Sequence, residues 1–147
     1  MSTKPLKILL ADDDFDDCIF FKKALEELKV ATHLSTVNDG DQLMDYLSLN
    51  SEHLPSVIFL DINMPRKNGL ECLSEIKQNE RLKNLPVVMF SSSNSRDQIS
   101  KLFKTGANVY IHKPSDFAHL IQVIHHALPI ATEKIVENNQ VKYILNW

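Results

Sequence analysis

The stretch Val57-Ile58-Phe59-Leu60-Asp61-Ile62-Asn63-Met64-Pro65 decides how this chain folds. Four apolar residues, rich in types that favour β-structure, lead directly into a carboxylate, and a loop with Asn68-Gly69 follows. This pattern predicts a buried parallel strand that ends at Asp61. Because open α/β sheets bind their ligands at the carboxyl ends of their strands, Asp61 is the first candidate functional residue.

Strand and helix patterns alternate on both sides of this stretch. Short apolar runs predict strands at residues 7–11, 33–37, 57–60, 87–90 and 109–111. Apolar residues at helical spacing predict helices at residues 15–29, 41–49, 69–79, 96–104 and 116–128. This alternation predicts the α/β class, with a doubly wound, five-stranded parallel sheet and helices on both faces. Ser115 is expected to cap the last helix, and Pro129 to end it.

The end of the chain does not continue this alternation. We expect one domain over residues 5–129 and a C-terminal extension over residues 130–147. Apolar residues alternate with polar or smaller ones in the extension, and Asn138-Asn139 is suited to a turn; the apolar residues are Val141, Tyr143, Leu145 and Trp147. The pattern leaves open a hairpin, an added strand, a dimer contact and a tail that lies on the domain.

The composition excludes several classes of function. The chain has 147 residues and a net charge of −3, with acidic and basic residues spread along it. No basic stripe predicts nucleic-acid binding, and no apolar run is long enough for a membrane span or a signal peptide. Cys18 and Cys72 lie on apolar-patterned segments and form no CxxC, so we expect free buried thiols. We therefore expect a cytoplasmic protein with no nucleic-acid or membrane partner.

Charged or reactive side chains follow several of the predicted strands. Asp12-Asp13 follow the first strand, Asp61 follows the third, Ser91 follows the fourth, and Lys113 lies two residues beyond the fifth. The carboxyl ends of the strands lie on one edge of a doubly wound sheet. We therefore expect these groups to converge, although they lie up to a hundred residues apart in the chain.

The expected cluster suits the transfer of a phosphoryl group. Carboxylates held together repel one another, and a divalent cation with oxygen ligands, for which Mg²⁺ is the best fit, would compensate them. The pair Asp12-Asp13 is the better cation ligand, and the single Asp61 is the better nucleophile. The backbone carbonyl of Asn63 is a further candidate ligand. Lys113 offers a mobile positive charge to a phosphate oxygen, and Ser91 offers a hydroxyl.

Three further acids follow the first strand. Asp14 makes the register of the acidic pair ambiguous by one residue, and we choose the earlier pair because it directly follows the apolar run. Asp16 and Asp17 fall in the first turn of a predicted helix, where negative charge is favourable. We interpret these two as helix-terminus charges rather than ligands.

From about residue 7 to residue 128, the chain resembles the receiver domain of two-component response regulators. The resemblance rests on Leu10-Ala11-Asp12-Asp13, Phe59-Leu60-Asp61-Ile62-Asn63-Met64-Pro65 with Asn68-Gly69, Phe90-Ser91-Ser92, Gly106-Ala107 with Tyr110, and Lys113-Pro114. It implies a flavodoxin-like sheet with strand order 2-1-3-4-5. With no DNA-binding domain after these motifs, the chain is similar to single-domain, CheY-like regulators. Its acidic run and C-terminal segment look like those of regulators that serve phytochrome-type and hybrid kinases.

The resemblance also implies the chemistry of the site. Asp61 would take a phosphoryl group from a phosphohistidine of a sensor histidine kinase or a hybrid kinase. Asp12, Asp13, Asp61 and the backbone carbonyl of Asn63 would hold Mg²⁺. The product would be a transient acyl phosphate, and the protein would be a signalling switch rather than an enzyme.

A switch mechanism is implied for the residues at the ends of the last two strands. Ser91 would be the switch hydroxyl, Tyr110 the switch aromatic residue, and the Lys113–Pro114 bond would be cis. Phosphorylation would draw Ser91 inward and let Tyr110 fill the space behind it, which changes the face of the fourth helix, fifth strand and fifth helix. The candidate partner contacts on that face are Gln98, Lys101, Tyr110 and His119. The kinase would dock around the first helix and the Pro114 loop.

Other functions compete for the same residues. Aspartyl-phosphate phosphatases of the haloacid dehalogenase type carry an acid where this chain has Asn63, and a flavin phosphate would be repelled by Asp12-Asp13-Asp14. The chain has no GxxxxGK, which excludes a P-loop enzyme. Two signalling functions stay open, a terminal output switch and a phosphorelay intermediate that passes the phosphoryl group to a histidine phosphotransfer protein. The aspartyl-phosphate phosphatase stays as a further alternative, against which Asn63 argues. A monomer and a homodimer are also both compatible with the sequence.

Overall fold

The computed structural model describes residues 4–93, 95–138 and 140–145. Its strands are β1 (Leu6–Ala11), β2 (Thr32–Val37), β3 (Val57–Leu60), β4 (Val87–Ser91), β5 (Val109–His112) and β6 (Tyr143–Leu145). Its helices are α1 (Phe15–Glu26), α2 (Gly40–Leu49), α3 (Gly69–Gln78), α4 (Arg96–Thr105), α5 (Phe117–Pro129) and α6 (Ile135–Glu137), with a π-helical turn at Ile130–Lys134. All ten elements predicted from the sequence are present, and their ends differ from the prediction by at most three residues.

The strands form one parallel sheet in the order β2-β1-β3-β4-β5-β6. β3 lies inside this sheet, where Phe59 pairs with Leu10 of β1 and with Val88 of β4. The α/β class, the parallel pairing and the order of the first five strands agree with the prediction. The predicted number of five strands is wrong, because Tyr143–Leu145 pairs with β5 as a sixth strand.

Successive residues of β3 supply the cores on opposite faces of the sheet. Ile58 and Leu60 are fully buried among apolar residues from α2, α3 and α4. Val57 and Phe59 are fully buried among those from α1 and α5. A continuous apolar run rather than an alternating one is what a strand covered on both faces requires. The central strand therefore holds Asp61, which directly follows it, at a fixed position.

The end of α5 differs from the prediction. Pro129 was expected to end the helix, but the chain continues through the π-helical turn, in which the Ile135 N–H donates to the Ile130 carbonyl. Ala131 and Ile135 are buried in the same core as α5. Burial of these side chains favours continuation of the chain past the proline, whose missing N–H removes a hydrogen bond from α5 but none from the turn that follows.

The C-terminal extension returns to the sheet as β6, not as a hairpin within the described part of 130–145. The Tyr143 N–H donates to the Asn108 carbonyl (2.8 Å), and the Asn108 Nδ2 donates to the Val141 carbonyl (3.1 Å). The Lys142 Nζ donates to the carbonyls of Phe103 and Ala107, both at 3.1 Å. The predicted turn at Asn138-Asn139 and the predicted apolar Trp147 involve residues 139 and 147, which lie outside the described residues.

Side-chain caps start each of the first five helices after its loop. In each case the cap side chain accepts a hydrogen bond from the backbone N–H of the third residue of the helix; the caps of α1 to α5 are, in order, Asp14, Asp39, Asn68, Ser95 and Asp116. Ser115 was predicted as the cap of α5, and that prediction is wrong by one residue. The Asp116 carboxylate accepts from the His119 N–H at 2.8 Å, and aspartate is as good a cap as serine.

Candidate functional site

The carboxyl edge of the sheet gathers the side chains that follow its central strands. The Asp12 N–H donates to the Val37 carbonyl (3.0 Å), and the Asp61 N–H donates to the Ala11 carbonyl (2.9 Å). These bonds extend the strand pairing by one residue and hold both aspartates rigidly. The Asp61 carboxylate is further oriented by the Ile62 N–H, which donates to its Oδ1 at 2.8 Å.

Lys113 connects the carboxylates of this edge. Its Nζ lies 2.8 Å from the Asp12 Oδ2, 2.8 Å from the Asp17 Oδ2 and 3.4 Å from the Asp61 Oδ2. The lysine side chain is mostly buried, with 13% of its surface exposed, so solvent screens these contacts only partly. The edge therefore joins β1, β3, α1 and the loop after β5 through one ammonium group.

Three carboxylates form a group that fits a divalent cation. Oxygen atoms of Asp12, Asp13 and Asp61 lie within 4.8 Å of one another. Asp12 and Asp61 are buried and Asp13 is exposed, so the group opens to solvent on one side. Hard oxygen ligands with room for retained water are what Mg²⁺ or a similar cation requires.

The remaining acids at this edge have other partners. Asp14 caps α1, since its Oδ1 accepts from the Asp17 N–H at 3.0 Å, while its own N–H donates to the Asp12 Oδ1 at 2.9 Å. This geometry separates the capping acid, Asp14, from the carboxylates of Asp12 and Asp13. Asp17 was interpreted as a helix-terminus charge, and the interpretation missed its ion pair with Lys113.

Burial changes the pKa values of the ionisable side chains in this cluster. Burial raises the pKa of the Asp12 carboxyl to about 6, although the hydrogen bonds from Lys113 and the Asp14 N–H oppose that rise. Burial also raises the pKa of Asp61, against the charge of Lys113 and the Ile62 N–H. Burial alone would lower the pKa of Lys113, but its hydrogen bonds to Asp12 and Asp17 raise it above its usual range. The single positive charge of Lys113 is not enough to balance the two buried carboxylates of Asp12 and Asp61.

A second group of polar contacts lies beside the cluster, at the start of the β4–α4 loop. Ser91 is fully buried, and its Oγ accepts from the Ser93 N–H at 3.3 Å. The Tyr110 hydroxyl donates to the Ser93 carbonyl, and the Ser93 hydroxyl donates to the Gln98 Oε1 at 2.7 Å. Ser93 therefore joins the candidate switch residues to α4, a role that nothing in the sequence pattern indicated.

Two predictions about this region are wrong. Tyr110 was expected as a partner contact, but only 1% of its surface is exposed, because it packs in the core between the sheet and α4. The Lys113–Pro114 bond is trans, as are all peptide bonds of the described residues. The trans isomer is favoured by about 0.5–1 kcal/mol even before proline, so a cis bond needs a specific cause.

The other predicted partner contacts stay at the surface. Lys101 and His119 are exposed, and Gln98 is half-buried. His119 also pairs with the Asp116 carboxylate at 2.6 Å. The region around α1 and the Pro114 loop, where kinase docking was expected, forms a groove lined mainly by apolar side chains, including Phe20, Phe117 and Leu120.

Two general expectations can also be compared with the structure. Cys18 and Cys72 are both free thiols, as predicted, with Cys72 buried and Cys18 half-buried. None of the helices in the described ranges has both the length and the apolar character needed to cross a membrane.

The chain matches the family model of the response regulator receiver domain over residues 8–125. Among curated proteins, the response regulator Rcp1 of Synechocystis is 32% identical over 127 residues, which cover 84% of this chain and 86% of Rcp1.

Solved structures extend the similarity to three dimensions. The phosphorylated cyanobacterial phytochrome response regulator RcpA matches with a TM-score of 0.81 and 32% identity, over 89% of this chain and 96% of RcpA. The Mn²⁺-bound form of Rcp1 matches with a TM-score of 0.77 and 30% identity, over 88% of this chain and 96% of that one. The acidic cluster of this chain and the Mn²⁺-bound form of that neighbour are both consistent with divalent-metal binding in receiver domains.

Proposed function

This chain belongs to the response regulator receiver family of two-component signalling, and from that premise we propose that Asp61 accepts a phosphoryl group from a sensor histidine kinase or a hybrid kinase. The observation that carries the proposal is the convergence of Asp12, Asp13 and Asp61 around the ammonium group of Lys113. Asp12 and Asp61 are both buried, and burial raises the pKa of each because it disfavours the ionised carboxylate. Two carboxylates buried side by side lower the stability of the fold, so a functional role accounts for them better than a structural one.

The proposed reaction is an in-line displacement at phosphorus. An oxygen of Asp61 forms the new P–O bond, and the P–N bond to the kinase histidine breaks, with its electron pair left on the imidazole. Lys113 is placed to balance the charge on the phosphoryl oxygens, since its Nζ lies 3.4 Å from the Asp61 Oδ2. Mg²⁺ bound by Asp12, Asp13, Asp61 and the Asn63 carbonyl would neutralise charge on both the carboxylate and the incoming group.

The proposed switch begins at Ser91. A phosphoryl oxygen on Asp61 would attract the Ser91 hydroxyl, which now accepts from the Ser93 N–H. Because Ser93 also binds Tyr110 and Gln98, movement of Ser91 would disturb the start of α4. Tyr110 is already buried, so it would act by keeping or losing its bond to Ser93 rather than by moving inward. The changed surface would be the α4–β5–α5 face, now with Gln98, Lys101 and His119 as its contact residues.

The partners follow from this proposal. A kinase would dock at the groove between α1 and the Pro114 loop, close to Asp61. We propose a cytoplasmic switch that is not an enzyme, with a downstream partner on the α4–β5–α5 face. The neighbours that are named as phytochrome regulators favour a phytochrome-type kinase. Transfer onward to a histidine phosphotransfer protein is the second candidate, since the same Asp61 geometry serves both directions of transfer.

Intact mass after incubation with Mg²⁺ and acetyl phosphate tests the acceptor. We expect one added phosphoryl group on the wild type, none on Asp61→Asn, and none when Mg²⁺ is chelated. Asp45→Asn removes the same charge from an exposed position on α2 and should keep the label. A label that survives in Asp61→Asn would show that another residue is the acceptor, and an unlabelled wild type would contradict the proposal.

A further inference from the structure

The ion pair between Asp17 and Lys113 is not used in the proposed reaction. Asp17 lies in the first turn of α1, and its Oδ2 lies 2.8 Å from the Lys113 Nζ. About a third of the Asp17 side chain is exposed, so the contact is only partly screened by water. Among the three carboxylates that Lys113 contacts, Asp17 alone is outside the candidate cation group.

The position of the ammonium group reflects this contact. Its Nζ is hydrogen-bonded to Asp12 and Asp17, both at 2.8 Å, and remains 3.4 Å from the Asp61 Oδ2. The other oxygen of Asp61 already accepts from the Ile62 N–H. The Oδ2 of Asp61 is therefore the oxygen with the weaker contact, and Lys113 lies beside it without a short hydrogen bond.

We propose that Asp17 is a positioning residue for phosphoryl transfer, which holds Lys113 next to the attacking oxygen of Asp61 but not directly on it. This inference rests on the proposed function of Asp61. A short hydrogen bond from Lys113 would occupy the lone pair that attacks phosphorus and would make Oδ2 a weaker nucleophile. Held by Asp17, the ammonium group keeps a hydrogen for a phosphoryl oxygen.

Removal of Asp17 has two opposed effects on the rate of phosphoryl transfer, and the experiment must separate them. Without Asp17, Lys113 would move towards Asp61 and the rate of transfer would fall. Loss of one negative charge near the site would also attract an anionic phosphodonor and raise the rate. Asp16 supplies the matched control, because it is the adjacent acid of the same helix turn, is exposed, and is not among the partners of Lys113.

The experiment measures the initial rate of labelling by acetyl phosphate at saturating Mg²⁺, from intact mass over time. We expect Asp17→Asn to be about fivefold slower than the wild type, because a partly exposed ion pair contributes up to about 1 kcal/mol, which corresponds to about fivefold in rate. Asp16→Asn should label as fast as the wild type or faster, and Asp17→Glu should recover most of the lost rate. Asp17→Ser carries the same prediction as Asp17→Asn if the amide variant does not fold.

A double-mutant cycle with Lys113→Ala tests whether Asp17 acts through the lysine. In that background, Asp17→Asn should cause no further loss of rate, because the group it positions is gone. Equal rates for Asp17→Asn and Asp16→Asn in the wild-type background would overturn the inference while leaving the acceptor role of Asp61 intact. Failure of the wild type itself to label would reject the proposed function and this inference together.

Discussion

Phe59 and Asp61 are two residues apart in the chain, yet they meet opposite environments. The ring of Phe59 lies edge-on to Phe21, with centroids 4.9 Å apart, and it is fully buried in the apolar core formed with α1 and α5. The carboxylate of Asp61 faces Asp12 and Asp13, and burial raises its pKa. Burial thus stabilises the fold at Phe59 and opposes ionisation at Asp61. The comparison shows that the favourable free energy of burying the apolar core offsets the unfavourable free energy of holding the carboxylates of Asp12, Asp13 and Asp61 together.

The largest expected effect is a loss of stability when Phe59, the apolar residue of this comparison, is truncated. Phe59→Ala should lower the free energy of unfolding by about 3–5 kcal/mol, because it leaves a cavity between Phe21 and Phe90. Urea unfolding monitored by circular dichroism measures the change. Phe15→Ala is the control, since 75% of Phe15 is exposed and its loss should cost less than about 0.5 kcal/mol. Equal losses in the two variants would contradict the assignment of Phe59 to the core.

The second-largest expected effect is a pH dependence of the free energy of unfolding, which arises from the carboxyl group of Asp12 in the charged cluster. The pKa of Asp12 is about 6 in the folded state against an ordinary value of 3.8, so the folded state binds more protons between these values. Stability therefore falls as pH rises from about 4 to about 7, by roughly 3 kcal/mol for this one group. Urea unfolding of the metal-free protein at several pH values tests this.

Asp12→Asn isolates the contribution of that carboxyl from those of the other acids. The stability of the wild type minus that of Asp12→Asn should fall across this pH range. A difference that stays constant from pH 4 to pH 7 would mean that Asp12 has an ordinary pKa. Added Mg²⁺ should reduce the pH dependence of the wild type, because a cation stabilises the ionised carboxylate.

The smallest expected effect concerns the hydrogen bond between Tyr110 and the β4–α4 loop, beside the charged cluster. Tyr110→Phe removes the hydrogen bond to the Ser93 carbonyl and should destabilise the protein by about 1 kcal/mol. Tyr46→Phe is the matched control, because its hydroxyl donates to the Ser35 Oγ at a longer 3.3 Å and nearer the surface. Thermal unfolding of both variants provides the comparison, and a larger loss of stability in Tyr46→Phe would contradict the importance of the hydrogen bond between Tyr110 and Ser93.

The sequence predicted those features that depend on local patterns. Apolar runs such as 57–60 identify buried strands, and the residue that follows each run must lie at the carboxyl edge of a parallel sheet. This reasoning placed Asp12, Asp61 and Lys113 on one edge, and the structure brings them within ion-pair distance.

The features that were missed depend on contacts between distant segments. The ion pair of Asp17 with Lys113 joins residues 96 positions apart, and an acid in a first helix turn has a sufficient local explanation. The sequence left an added strand open as one of several alternatives for the extension, because the three residues of β6 are too few for a clear pattern. Hydrogen bonds of Asn108 and Lys142 lie beside its pairing with β5. Continuation of the chain beyond Pro129 is likewise set by burial of Ala131 and Ile135, which overrides the local preference of proline.

The sixth strand also changes which edge of the sheet is open to pairing with another chain. A sheet edge exposes unpaired backbone groups, and an apolar edge invites another chain to pair with it in an aggregate. β2, at one edge, carries the polar residues His33, Ser35 and Thr36, whereas β5 has the apolar run Val109–Ile111. By covering β5, Tyr143–Leu145 shortens the edge that could nucleate intermolecular β-structure. β6 is itself apolar, with 59% of Ile144 exposed, so the extension shortens the open edge of the sheet without making it polar.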